Sequence, residues 1–214
     1  MILESRPATG LGALAAASTS DRISYESVDV RGEPTTMTGL VHLPHGQAPR
    51  EGWPLVTYGH RTTGGRDAPA PRRAAADQPE SRRMTQGDAF VAQLLARGCA
   101  VVQPDYEGIG GPGPHPYLIG TSLARAVIDM AQAARVQYPF AARWVSAGHS
   151  EGAVAALWAA STAPHDSKAA GLDLRGVCAF APVTRMDLSI GASLRLPVVL
   201  PGFAVVSPLI GLML

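Results

Sequence analysis

The stretch WVSAGHSEGAVAALWAAST, Trp144 to Thr162, constrains the fold of this 214-residue chain more than any other. The apolar run RWVSAG (143–148) reads as a strand, and EGAVAALWAAST (151–162) reads as a helix that follows almost at once. The junction Gly148-His149-Ser150-Glu151-Gly152 fits G-x-S-x-G. So sharp a turn strains the backbone at the serine, and side chains at 148 and 152 would clash with the neighbouring strand and helix. The helix then aims its first N–H groups and positive dipole end at the reacting oxygen. This predicts Ser150 as a nucleophile and the N–H of Glu151 as one oxyanion donor. The alternative is a βα turn with an incidental serine; the strand before it and the helix after it favour the nucleophile. His149 is expected to point off the other side of the turn, as packing or polar support and not as a base.

The rest of the chain alternates in the same way. Residues 1–20 are weakly patterned and read as a lead that wraps the surface. ISYESVDV (23–30) and TMTGLVHL (36–43) read as a hairpin across RGEP. After it come strand WPLVTYG (53–59), helix DAFVAQLLARG (88–98), strand CAVVQPD (99–105), helix YLIGTSLARAVIDMAQAARVQ (117–137), the serine strand and helix, and strand LRGVCAFAP (174–182). Strand–helix alternation predicts an α/β fold, a mostly parallel sheet with helices on both faces and an antiparallel hairpin at its start.

Composition narrows the function classes. With 46% hydrophobic residues the chain can bury one core, so a single domain is expected. The formal charge of +1, without a long basic run, argues against a nucleic-acid partner. The pairs Arg72-Arg73 and Arg82-Arg83 read as a solvated loop. Cys99 and Cys178 lie in apolar runs and read as buried free thiols, without metal-type spacing. No metal or organic cofactor is expected. The N-terminus does not read as a secretory signal, and no run of 18 apolar residues predicts a transmembrane helix. The tail LPVVLPGFAVVSPLIGLML is apolar but broken by Pro197, Pro201 and Pro208, and it predicts a tendency to oligomerise or aggregate.

A second oxyanion donor is expected from the loop after an earlier central strand, and YGHRTTGG (58–65) follows PLVTYG. The backbone N–H of Arg61 or Thr62 is a candidate, with the hydroxyl of Thr62 or Thr63 in support. A plain Gly/Thr turn fits the spacing as well. PLVTYGHRTTG, PDYEGIGGPGPHPYLIGTSLARAVIDMAQAAR and GHSEGAVAALWAA together resemble the secretory lipase family of α/β-hydrolases, over most of residues 20–185. The middle piece is the most specific. The resemblance implies Ser150 as nucleophile, Glu151 as one oxyanion donor and the His60–Thr63 loop as the other. It implies Asp105, Tyr106 and Glu107 at the carboxyl end of a central strand, near the site. His60 and His115 fall on loops bordering it. It also implies hydrolysis of carboxylic esters, often acylglycerols, under a cap, by a family that is often secreted. One departure is Arg61, where the family usually has glycine in HGTTG.

The triad should run serine, carboxylate, histidine along the chain. After Ser150 stands one histidine, His165, with Asp166, Asp173 and Asp187, and no acid between Ser150 and His165. Fifteen helical residues at ~1.5 Å each put His165 roughly 20 Å from the serine, too far for a base. TRMDLSIGASL and the apolar tail look like a cap cut short, so residues 1–182 are expected to be an incomplete hydrolase core and 183–214 the beginning of the cap. Truncation of a genuine hydrolase is the favoured explanation. Completion by another chain, or a relic serine in a catalytically silent module that binds a hydrophobic ligand or partner, are the alternatives.

Overall fold

The computed structural model describes residues 1–63 and 85–184. The loop with its arginine pairs, Asp187, and the apolar tail read as a cap and an oligomerisation element lie outside those residues. The described strands are β1 (Ile2–Pro7), β2 (Thr19–Val28), β3 (Pro34–Leu43), β4 (Trp53–Gly59), β5 (Ala100–Pro104), β6 (Phe140–His149) and β7 (Asp173–Phe180). They form one sheet in the order β1-β2-β3-β5-β4-β6-β7. β5, β4, β6 and β7 are mutually parallel, while β1, β2, β3 and β5 are joined by antiparallel pairs. The hairpin holds one register from Thr19 opposite Leu43 to Val28 opposite Pro34, as its alternation predicts. The central strands are apolar without alternation because both faces are covered, and every residue of β5 is buried.

Three helices supply the cover: α1 (Asp88–Ala96), α2 (Gly120–Gln137) and α3 (Glu151–Thr162). Adjacent strand residues face opposite sides, so Leu55 and Val102 join one core cluster while Val56 and Val101 join another. On the first face pack α2 and α3, through Leu123, Val127, Met130 and Val154. On the second packs α1, through Val91 and Leu95. The alanines of α2 let it lie close to its neighbours. Tyr25 of β2 donates to the Ala126 carbonyl at 2.9 Å, and Ser27 to Asp129 Oδ2 at 2.7 Å, which ties the hairpin to α2. The fold is the mostly parallel α/β sheet that the alternation predicts. No helix among the described residues is long and apolar enough to cross a membrane.

Two expectations need correcting. The first residues are not only a surface lead: Ile2–Pro7 form an edge strand on β2. Its sequence, ILESRP, buries almost nothing, so the alternation that marks a half-buried strand is missing. Residues 8–18 do wrap the surface, and Leu14, Ala16 and Ala17 pack beside the α1 cluster. The cysteines are free, but Cys99 is only half-buried and Cys178 is exposed. Cys178 lies on β7, whose burial alternates, so an apolar run there does not mean a buried one.

The two faces of α2 give a direct test. Leu123→Ala empties a fully buried site and should cost about 2–5 kcal/mol in urea unfolding. Val136→Ala, at a position 80% exposed on the same helix, should stay within about 0.5 kcal/mol of the parent.

Candidate active site

β6 ends at His149 and α3 begins at Glu151, so Ser150 alone makes the turn. It adopts φ 56° and ψ −115°, a conformation that costs a non-glycine residue about 1–3 kcal/mol and persists only when its surroundings enforce it. The Ser150 N–H donates to the Phe180 carbonyl at the end of β7 (2.9 Å), and its own carbonyl accepts from Ala153 (3.0 Å) and Val154 (3.2 Å). Three glycines allow the backbones to close around it. A Cβ on Gly59 would lie 2.8 Å from Gly152 Cα, one on Gly152 2.9 Å from Gly59 Cα, and one on Gly148 2.9 Å from Ala153 N. All three are contacts with backbone, which side-chain motion cannot relieve. As the first residues of α3, Glu151 and Gly152 have N–H groups with no intrahelical acceptor, at the positive end of the helix dipole.

The loop after β4 is pinned opposite the turn. Tyr106 Oη donates to the His60 carbonyl at 2.6 Å, and Thr62 Oγ1 and Tyr117 Oη share a hydrogen bond of 3.1 Å. Arg61 Nη1 donates to Gln86 Oε1 at 2.7 Å, so this long side chain is drawn toward the residues before α1. His60 stacks on Tyr106 with centroids 4.6 Å apart, donates from Nδ1 to the Arg61 carbonyl at 2.7 Å, and holds Nε2 3.8 Å from Asp105 Oδ1. Thr63 is buried.

Asp105, Tyr106 and Glu107 follow β5 and are buried beneath the turn rather than open to a ligand. Thr38 donates to Asp105 Oδ2, and Ser122 of α2 to Glu107 Oε2. His115 Nδ1 donates to the Glu107 carbonyl at 2.8 Å, and its Nε2 lies 2.7 Å from Glu151 Oε1. The His115 and Glu151 side chains are both 0% exposed. Burial pushes the His115 imidazole toward its neutral form. The hydrogen bond and charge of Glu151, then the carbonyl and charge of Glu107, more than offset this, and its pKa ends above the ordinary value. His115 therefore supports the site from below instead of lining it. This pair was not legible in the sequence. Its one signal was a glutamate placed where the turn must bury it.

His149 lies apart from this layer. It helps line a cleft of about 240 Å³ with Tyr58, Gln86, Gly87, Phe90 and Phe180, beside the turn. Two of the acids after the serine, Asp166 and Asp173, serve elsewhere. Asp166 pairs with Arg125 of α2, and Asp173 pairs with Arg175 at 3.0 Å on the sheet's surface. His165 is exposed beyond the end of α3. The structure thus brings together Ser150, Glu151, His60, Arg61, Thr62, Thr63, Asp105, Tyr106, Glu107 and His115, and sets His149 in the cleft beside the turn. Among the described residues no group of three or more His, Cys, Asp and Glu side chains is placed to hold a metal ion.

The family model for secretory lipases matches residues 78–192, more than half of the chain. The chain belongs to the secretory lipase family. Its fold is similar to that of Candida antarctica lipase A in its closed state, with a TM-score of 0.69 at 21% identity over 83% of this chain and 41% of that one. It is also similar to the rice cell wall degrading esterase LipA from Xanthomonas oryzae, with a TM-score of 0.64 at 26% identity, over 83% of this chain and 49% of that one. A hydrolase-like protein from Legionella pneumophila, described as a putative hydrolase, matches with a TM-score of 0.60 at 22% identity, over 85% of this chain and 51% of that one. This secretory-lipase chain spans about half the length of these structures or less. No curated protein sequence matches it.

The glycine contacts at the turn predict their own fragility. Gly152→Ala should cost about 3 kcal/mol or more in urea unfolding, because no side chain can move aside to admit the methyl group. A loss below 1 kcal/mol would show that the backbones are not in contact.

Proposed function

We propose that this chain carries the nucleophile of a serine hydrolase acting on carboxylic esters such as acylglycerols, with Ser150 in that role. The observation that carries the reading is the strained Ser150 backbone, φ 56°, at the start of a helix whose first N–H groups have no intrahelical acceptor. This strain falls on the one residue between β6 and α3, the position at which a nucleophile elbow holds a serine beside the first N–H groups of its helix. Membership of the family and the similarity to LipA, an esterase by its description, support the same chemistry.

Ser150 Oγ attacks the ester carbonyl carbon while a base takes its proton. The carbonyl oxygen gains the electron pair, and the N–H of Glu151 stabilises it with that of Arg61 or Thr62. The tetrahedral species collapses by breaking the bond to the alcohol oxygen, which leaves with the proton. Water then attacks the acyl-serine and restores the hydroxyl. His115 cannot serve as the base, since it is buried and its Nε2 is held by Glu151 Oε1, and His60 is buried with its Nε2 turned to Asp105 Oδ1. The cleft beside His149 and Phe180 offers an apolar surface for part of the ester.

A fluorophosphonate should give a single adduct on the purified chain, absent from Ser150→Ala, as read by intact mass. Added imidazole, standing in for the base, should speed adduct formation about tenfold or more. A folded chain that gives no adduct with imidazole present would overturn the assignment.

A further inference from the structure

Glu151 is an unexpected residue beside a serine that must generate an oxyanion. Its side chain is 0% exposed. Oε2 is buried and has no hydrogen-bond partner among the described residues. A bare carboxylate there would lack solvation, and it would place negative charge next to the oxygen that must become negative. The partner that changes this lies 36 residues earlier in the chain, on the loop before α2.

The proton count follows from the acceptors. The Glu107 carbonyl can only accept, so His115 Nδ1 must carry a hydrogen. Nε2 and Glu151 Oε1, 2.7 Å apart, then hold one proton between them, whether as imidazolium and carboxylate or as imidazole and carboxylic acid. Either way the pair is neutral as a whole. Losing that proton would set two lone pairs against each other in a dry interior.

We infer that His115 is a positioning residue of the serine turn: through this one proton it anchors the first residue of α3 and keeps the buried Glu151 carboxylate from acting as a bare anion beside the oxyanion. The rings around it fix its plane. Tyr106 stacks at 5.8 Å and 18°, and Tyr117 meets it edge-on at 6.0 Å. Tyr117 in turn bonds Thr62 of the opposite loop, so one imidazole braces both walls of the site. Among the described residues, the charged and titratable groups that face His115 are Glu107, Glu151, Tyr106 and Tyr117. The two carboxylates favour its charged form. The pair's stabilisation is complete below about pH 6.5, the ordinary imidazole value. It is lost as the pH rises through the higher folded value.

The inference deepens the hydrolase reading and rests on it for its catalytic part, but its first tests need no activity. In ¹⁵N-histidine-labelled protein, His115 should keep a proton on both ring nitrogens at pH values where an exposed imidazole carries only one. His115→Asn should lower the melting temperature by about 10 °C, because it strands a buried carboxylate. The double variant H115N/E151Q, which removes the charge as well, should recover at least half of that loss. If the double variant melts no higher than H115N, or His115 titrates at the ordinary value, the inference is overturned. Fluorophosphonate labelling of Ser150 with imidazole present then reads the catalytic part. H115N should slow it about 100-fold, the scale of a lost oxyanion donor, and the double variant should recover tenfold or more. Labelling unaffected by H115N would refute that part. A wild type that never labels would refute the hydrolase reading, while the titration and melting tests would still decide the proton-sharing pair.

Discussion

The site depends on three backbones that touch. Gly59 at the end of β4, Gly148 near the end of β6 and Gly152 in the first turn of α3 approach so closely that a methyl group on any of them would meet main-chain atoms. Gly59 and Gly148 are also register partners in the parallel pair of β4 and β6. This contact brings α3 down onto the sheet immediately after β6. Only then must a single residue, Ser150, absorb the whole change of direction in a left-handed conformation. The serine's nearness to the helix N-terminus follows from that packing. The local strain is offset by the surrounding core, including Trp144 and Ala155, which are almost wholly buried.

Beneath the turn lies a polar layer that is unusual for so buried a position. Thr38 with Asp105, Tyr106 with His60, Ser122 with Glu107, and His115 with Glu151 are hydrogen-bonded pairs contributed by β3, α2, α3 and the loops between. Apolar side chains would fill the same space more cheaply, since buried charges stabilise a fold weakly if at all. What the layer adds is direction, because each hydrogen bond admits one geometry and fixes a loop or a helix end relative to Ser150. The carboxyl ends of the parallel strands are where such loops gather in an open α/β sheet.

Much of this was legible in the chain. The unbroken apolar runs at 53–59 and 99–105 marked the buried strands, and the glycines around Ser150 marked the sharp turn. The termini were less so. Ile2–Pro7 gains its strand by pairing alone and buries no face, so no hydrophobic period announces it. Cys178 sits in an apolar run yet is exposed, because β7 alternates where β5 does not. The polar layer escaped for a different reason. His115 and Glu151 meet only after two crossovers have folded, and a sequence pattern records neighbours along a strand or helix, not across a sheet. Arg61, the departure from the family's glycine, turns its side chain toward Gln86, a direction set by a tertiary partner that no local pattern records.

The proposed chemistry requires the Glu151 N–H to face the oxygen that Ser150 makes negative. A crystal structure of the phosphonate adduct would decide it. Phosphorus should be bonded to Ser150 Oγ, with a phosphoryl oxygen about 3 Å from the Glu151 nitrogen and also facing the Arg61–Thr62 backbone. An adduct on another residue, or a phosphoryl oxygen turned to solvent away from Glu151, would contradict it.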